Sequence, residues 1–176
     1  PSYLEKAKVL RSDGYIDRAS SNLKGYFLQG NYKNNGTLLK ALVFGGIQKS
    51  YQAWNGLEDS EKLAHDRTYN TAGEYYDDNG NLRFYDNQTD NYQQDHYQFH
   101  WIQKFGDGWS SAVALHYTKG KGFYENYRQD RDLEDYNIPT QEVNGNLITS
   151  SDLIDQKWLE NDFYGTTFSL NYKKDK

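Results

Sequence analysis

Three of the four histidines in this 176-residue chain lie close together in the sequence, at His96, His100 and His116. Alternation of apolar and polar residues places all three on the more polar face of a predicted hairpin. Pairing Phe105 with Trp109 sets His116 diagonally to both other histidines, at about 7–8 Å. Two imidazoles at that separation can share a metal ion, or one can hydrogen-bond a neighbouring segment. The open alternative is that histidines on a hydrated face have no special role, and we expect no cofactor.

Aromatic residues are the second candidate for chemistry, with 17 Tyr, eight Phe and four Trp in the chain. Many fall between the predicted strands, where flat rings can stack on a sugar or a siderophore ring. Alternatively, they pack the loops onto themselves or mark the outer interface. The candidate ligand-binding residues are Tyr51, Trp54, Tyr75, Tyr76, Phe84, Tyr85, Phe123 and Tyr124, and the same argument covers Tyr69 and Tyr127.

Several classes of function are disfavoured by the composition. The absence of cysteine excludes a disulfide scaffold and thiolate zinc sites. A net charge of −5 argues against nucleic-acid binding, which needs a basic face. No set of nucleophile, base and orienting group appears, so we expect no enzyme. The acidic stretch 77–81 lacks the spacing of a calcium loop and predicts an Asn-Gly turn.

We expect β-strands to position these residues, because apolar and polar residues alternate with a period of two in several parts of the chain. Asn35-Gly36 is a strong hairpin signal, and pairing Asn34 with Thr37 aligns the apolar positions of its two strands. Gly106-Asp107-Gly108 joins the second hairpin. The predicted strands cover about 5–11, 20–34, 37–48, 94–105, 109–119 and 158–172, the first being the weakest.

The connections between strands alternate between two or three residues and roughly 40 residues, at about 49–93 and 120–157. Short turns alternating with long loops, on strands of about ten residues with aromatic ends, are typical of outer-membrane β-barrels. We therefore predict an all-β fold: antiparallel up-and-down strands of a partial transmembrane β-barrel, with about five strands and two long, acidic extracellular loops. The alternative is a secreted soluble β-sandwich that binds carbohydrate. A third possibility is an adhesin or another barrel whose loops bind a protein.

Several segments resemble the TonB-dependent outer-membrane receptors of Gram-negative bacteria. They cover most of the chain between Arg11 and Tyr127, and their order agrees with the barrel interpretation. The matching segments are 12–21 (SDGYIDRASS), Leu23-Lys24, Tyr26-Phe27, 51–56 (YQAWNG), Gly73-Glu74-Tyr75, 84–98 (FYDNQTDNYQQDHYQ) and 119–125 (KGKGFYE).

The resemblance implies a bacterial outer-membrane location and a 22-stranded barrel occluded by an N-terminal plug. It also implies import of iron–siderophore, haem, cobalamin or oligosaccharide ligands, energised through the plug region by the TonB complex of the inner membrane. This chain lacks the plug and has too few strands to close such a ring. It also begins at Pro1 and contains no Met, so we expect a section of the barrel wall with its ligand-capturing loops, in contact with outer-membrane lipid.

Overall fold

The computed structural model describes residues 1–173, which form a mostly antiparallel β-structure. Six strands make one sheet in the order β1-β2-β3-β6-β7-β10, so every main strand lies beside the next main strand along the chain. Two small hairpins, β4-β5 and β8-β9, are inserted between main strands. The strands are β1 (Ser2–Ser12), β2 (Ser21–Asn34), β3 (Thr37–Tyr51), β4 (Glu74–Tyr76), β5 (Leu82–Phe84), β6 (Thr89–Lys104), β7 (Trp109–Asp132), β8 (Gln141–Val143), β9 (Asn146–Ile148) and β10 (Ser150–Tyr172).

The two tight turns lie at one end of the sheet. Asn34 pairs with Thr37 across Asn35-Gly36, whose φ angles of 39° and 87° are those that a two-residue hairpin turn requires. The Phe105 amide donates to the Trp109 carbonyl at 2.8 Å, so the second hairpin also closes where the sequence predicts. The connections 13–20, 52–88 and 133–149 all lie at the opposite end. Helix α1 (Ser60–His65), capped by the Asp59 carboxylate, is part of the second connection.

The strands are longer than the sequence predicts. Pairing between β7 and β10 continues to Asp132 and Ser150, so most of the expected loop 120–157 is strand, and only 133–149 connects the two. The expectation was wrong because Lys119 and Lys121 replace large apolar residues on the apolar face and interrupt the alternation, whereas the backbone ladder continues. The first long loop is also shorter than 49–93, because β3 extends to Tyr51 and β6 begins at Thr89.

The sheet has one apolar and one polar face. The apolar face carries even positions of β2 and β10 and odd positions of β1, β3, β6 and β7. Its rows across the strands include Leu28, Val43, Tyr97, Tyr117 and Tyr164, and Leu39, Trp101, Val113 and Phe168. These side chains face outward without a covering layer in residues 1–173. Trp101 is 47% exposed and Phe168 68%.

The main sheet is open. The outer edges of β1 and β10 pair with no other strand within the described residues. Few large side chains are buried, and apart from Leu42 in the middle of β3 most of them lie near the end that carries the long connections. No helix of residues 1–173 is long and apolar enough to cross a membrane.

Candidate functional site: the folded loops

The connections 13–20 and 52–88 are folded against each other at one end of the sheet. Asn70 joins them with its side-chain amide, which donates to the Asp17 carbonyl at 3.0 Å and to the Gln52 carbonyl at 2.9 Å. Its amide oxygen accepts from the Ala72 backbone N–H at 3.0 Å. Asn70 is only 4% exposed, so all three bonds are protected from water. Asn70 therefore holds loop 52–88, which we call the β3–β6 loop, against the β1–β2 connection.

Tyr51 anchors the centre of the β3–β6 loop. It is the last residue of β3, and its hydroxyl lies 3.0 Å from the Ala72 carbonyl and 2.9 Å from the Tyr85 carbonyl, to which it donates. Gly73 packs against this hydroxyl with a φ of 79°, and a Cβ there would lie 2.6 Å from the oxygen. Tyr51 was predicted as a ligand-binding residue, but the structure buries it as a loop anchor.

Arg18 closes the same cluster from the β1–β2 connection. Its guanidinium lies 3.5 Å from the centroid of the Phe84 ring and 5.8 Å from that of Tyr51. It also donates to the Asn70 carbonyl. A cation held over an aromatic face stabilises both partners. Phe84 is thus occupied by an internal contact, and Arg18 is a site residue that its sequence position alone did not reveal.

The β4-β5 hairpin docks on β7. The Tyr127 ring lies between Tyr75, at a centroid distance of 4.6 Å, and Tyr85, at 5.6 Å. Beside this stack, the Tyr76 N–H donates to the Gln129 side-chain oxygen at 3.0 Å, and the Gln129 amide donates back to the Tyr76 carbonyl. The hairpin is therefore held by stacking and by a pair of reciprocal hydrogen bonds.

Glu125 is the buried acceptor of the cluster, with 6% exposure. Its carboxylate accepts from the Tyr85 hydroxyl at 2.7 Å, from the Gln156 amide at 2.6 Å and from the Asn87 amide. Burial, followed by the hydrogen bond to Glu125, raises the pKa of Tyr85 to about 12. At neutral pH, Tyr85 is thus a neutral donor to a carboxylate.

The ends of the β3–β6 loop are fastened to β7 by two glutamines. Gln52 donates through its side chain to the Glu125 carbonyl at 2.8 Å. Gln88 accepts from the Tyr127 N–H at 2.9 Å and donates to the Asn126 side chain at 3.1 Å. Both glutamines are buried, so the loop and β7 form one packed unit.

The remaining predicted aromatics lie apart from one another. Trp54 and the Tyr76 side chain are each 59% exposed on the β3–β6 loop. Phe123 stacks on Trp158 at 4.6 Å on the apolar face, whereas Tyr124 lies on the polar face. The eight candidate residues therefore do not converge on one site, and Trp54, Tyr76 and Tyr124 are those with exposed rings.

The three histidines have separate partners. His116 pairs with Gln98, which confirms its predicted diagonal position to His96 and His100. His96 stacks on Phe44 at 4.5 Å and its Nδ1 lies 2.8 Å from the Thr118 hydroxyl. His100 Nε2 lies 3.3 Å from the Gln98 side-chain oxygen, and His116 packs on Phe163. No group of three or more His, Cys, Asp or Glu side chains within residues 1–173 has the geometry to hold a metal ion.

The acidic stretch 77–81 forms the Asn-Gly turn that its spacing predicts. The Gly80 N–H donates to the Asp77 carbonyl at 2.8 Å. The Asp77 carboxylate accepts from the backbone of Asn81 at 2.8 Å and of Asn79 at 3.1 Å, and it pairs with Arg83 at 2.9 Å. The hydrogen bond from the Asn81 backbone N–H, together with that from the Arg83 side chain, lowers the pKa of Asp77 to about 2. Asp77 serves as an internal cap of the turn.

Comparison of the chain with models of known protein families, with curated proteins and with solved structures finds no match.

Proposed function

We propose that this chain is part of the wall of a TonB-dependent outer-membrane transporter, in which its folded loops belong to the ligand-capturing surface. The resemblance of the sequence segments supports the family. The exposed apolar band of the sheet is the single structural observation that carries the proposal. The substrate would be a scarce nutrient taken up from outside the cell, and energy would come from the TonB complex through a plug.

The apolar band has the dimensions that a membrane requires. On β7 it runs from Trp109 to Tyr117, close to the 9–11 residues with which a tilted strand crosses a bilayer. Aromatic rings lie near both of its ends, as in the girdles of outer-membrane barrels. At the loop end, the Tyr117 hydroxyl donates to Asp162, and Lys121 pairs with Glu160 at 3.4 Å. The surface thus changes from apolar to charged within a few residues.

The sheet edges support a larger assembly. β10 spans 23 residues and offers its whole outer edge for pairing. Long uncovered edges promote aggregation in soluble proteins, and closure of a barrel removes them. Further strands of the same barrel on either side of β1 and β10 would satisfy both edges.

The placement of short turns at one end of the sheet and long connections at the other also agrees with this proposal. Outer-membrane barrels have tight turns on the periplasmic side and long loops outside the cell. The turns at Asn35-Gly36 and 105–108 would then face the periplasm, and the Asn70, Tyr51 and Glu125 cluster would face the medium. The soluble sandwich alternative needs a second layer over the apolar face, and residues 1–173 supply none.

Spin labelling tests the orientation of the sheet. The sequence has no cysteine, so single cysteines can be placed on β7 without removing others from this chain. In lipid bilayers, labels at Val113→Cys and Leu115→Cys should collide with oxygen, which dissolves in lipid, more than with a water-soluble nickel chelate. Labels on the opposite face, at Ala112→Cys and Ala114→Cys, should show the reverse preference. Lys121→Cys is the matched control, because it shares the apolar face but lies in the charged zone.

The following result would overturn the barrel proposal. If the protein stays soluble without detergent and both reagents are excluded from positions 113 and 115, a protein layer covers the apolar face and the sandwich is correct. For the capture role, replacing 53–87 by a short turn in the transporter should abolish ligand uptake without changing the labelling pattern of the band. Unchanged uptake would remove the β3–β6 loop from the capture surface.

A further inference from the structure

The polar face contains a hollow where side chains are missing from two successive rows of the sheet. One row consists of Gly25, Gly46, Gln94, Gly120 and Asn161, and the next of Leu23, Gln48, Tyr92, Gly122 and Leu159. Gly25 and Gly46 leave the backbone partly uncovered, whereas Gly120 and Gly122 are buried. A concave surface therefore crosses the middle strands close to the folded loops.

Tyr92 lies flat across this hollow. A Cβ on Gly120 would lie 2.1 Å from the Tyr92 hydroxyl oxygen, and a Cβ on Gly122 would lie 2.7 Å from the ring carbon Cδ2. The ring therefore extends along β7 over both glycines, with its hydroxyl end above Gly120. The hydroxyl donates to the Asn161 side chain at 3.1 Å, which fixes this orientation. Only glycine at both positions leaves room for the ring.

The Tyr92 ring separates two adjacent cavities. One, of about 340 Å³, is lined by Phe44, Gly46, Gln94 and His96 among others. The other, of about 590 Å³, contains Asp90, Gly122, Tyr124, Lys157 and Leu159. Tyr92 therefore lines both cavities, and a fixed aromatic ring in a cavity wall can serve as a stacking platform.

The polar groups around the platform favour a neutral ligand with many hydroxyl groups. Side-chain amides come from Gln48, Gln94 and Asn161, and each can donate and accept. On the polar face the charged groups are one acid, Asp90, and one base, Lys157. Lys24 also lines the first cavity, but its position in β2 belongs to the apolar face. Flat aromatic rings beside amides match the apolar faces and the hydroxyl edges of a sugar ring.

We infer that this hollow is a saccharide-binding site, with a sugar ring stacked on Tyr92 and its hydroxyls bonded by the surrounding amides. Its part in import rests on the proposed function, in which the polar face lines the lumen. The site itself rests on the contacts of Tyr92 with Gly120, Gly122 and Asn161 and on the two cavities beside the ring. The substrate class is thereby narrowed to neutral oligosaccharides.

Binding of defined sugars to the full chain in detergent micelles tests the site. The probes are maltohexaose, cellohexaose, xylohexaose and laminarihexaose, and a ferric tris-catecholate complex is the anionic comparison. Saturation-transfer NMR should detect at least one hexasaccharide. Tyr92→Ala should weaken its binding by about tenfold, the upper value for one aromatic contact. Tyr92→Phe keeps the ring and should stay within about threefold.

Two further variants distinguish the site from a general loss of fold. Gly122→Ala should displace the ring and weaken sugar binding as Tyr92→Ala does, while Tyr97→Ala on the opposite face should leave it unchanged. Failure of all four sugars to bind, or binding of the tris-catecholate alone, would overturn the saccharide site. The spin-label pattern on β7 would then still decide the barrel proposal, so the two can fail separately.

Discussion

Replacing Asn70 by Ala should release the β3–β6 loop from the β1–β2 connection. The side chain is buried and makes three hydrogen bonds, to the carbonyls of Asp17 and Gln52 and from the N–H of Ala72. Each contributes about 1 kcal/mol, so the loss is about 3 kcal/mol for the local structure. At about 1.4 kcal/mol per factor of ten, amide exchange in the loop should become about a hundredfold faster.

Hydrogen exchange followed by mass spectrometry measures this effect directly. Peptides covering 13–20 and 52–73 should lose protection in Asn70→Ala, whereas those from the middle of β6 and β7 should keep it, because loops open locally. Asn70→Asp should be at least as damaging, since a carboxylate would face two carbonyl oxygens. Asn79→Ala, in an exposed turn, is the matched control. Unchanged exchange around Asp17 and Ala72 in Asn70→Ala would refute the assignment of Asn70 as the joint between the loops.

Three other perturbations address the loops. The pKa of Asp77 is about 2. Its carboxylate should stabilise the turn fully above the unfolded-state pKa of about 3.9, and this stabilisation should be lost as the pH falls through about 2. An NMR titration midpoint near 4 would contradict the capping role. Gly73→Ala should lower the thermal unfolding midpoint more than Gly56→Ala does. Both glycines have positive φ, but only at Gly73 would a Cβ lie 2.6 Å from the buried Tyr51 hydroxyl. Equal shifts of the midpoint would show that this contact relaxes freely. Gln129→Ala removes two hydrogen bonds to the β4-β5 hairpin, a loss of about 2 kcal/mol. Amide exchange in the hairpin should therefore become faster. Exchange as slow as in the wild type would assign the docking of the hairpin to aromatic contacts alone.

The hairpin registers could be predicted because they depend on side chains that alternate strictly between two faces. Pairing Tyr32 with Leu39 or Phe105 with Trp109 is the arrangement that keeps large apolar residues together. The outer half of β7 could not be predicted in this way. From Lys119 onwards the charged residues Lys119, Lys121 and Glu125 interrupt the apolar positions of β7, so the ladder continues without a regular apolar signal.

The loop cluster was the least predictable part. In the sequence, Tyr51, Phe84 and Trp54 are all aromatic residues between predicted strands. Only the fold shows that Tyr51 and Phe84 make internal contacts while Trp54 is exposed. Arg18 and Asn70 belong to the cluster through contacts across 52 positions of sequence, which no local pattern reveals. Tyr92 became a candidate only when the register placed Gly120 and Gly122 beneath its ring.

The outer ends of β7 and β10 continue as a two-stranded ribbon beyond Tyr124, where β6 stops pairing with β7. A ribbon of two strands is marginally stable in water, and here its Glu125, Tyr127 and Gln129 are covered by the β3–β6 loop. The β3–β6 loop and the β7–β10 ribbon are therefore not separate modules. An engineer who transplants the β7–β10 ribbon into another sheet must carry residues 52–88 with it, and diversification of either segment is constrained by the surface of the other.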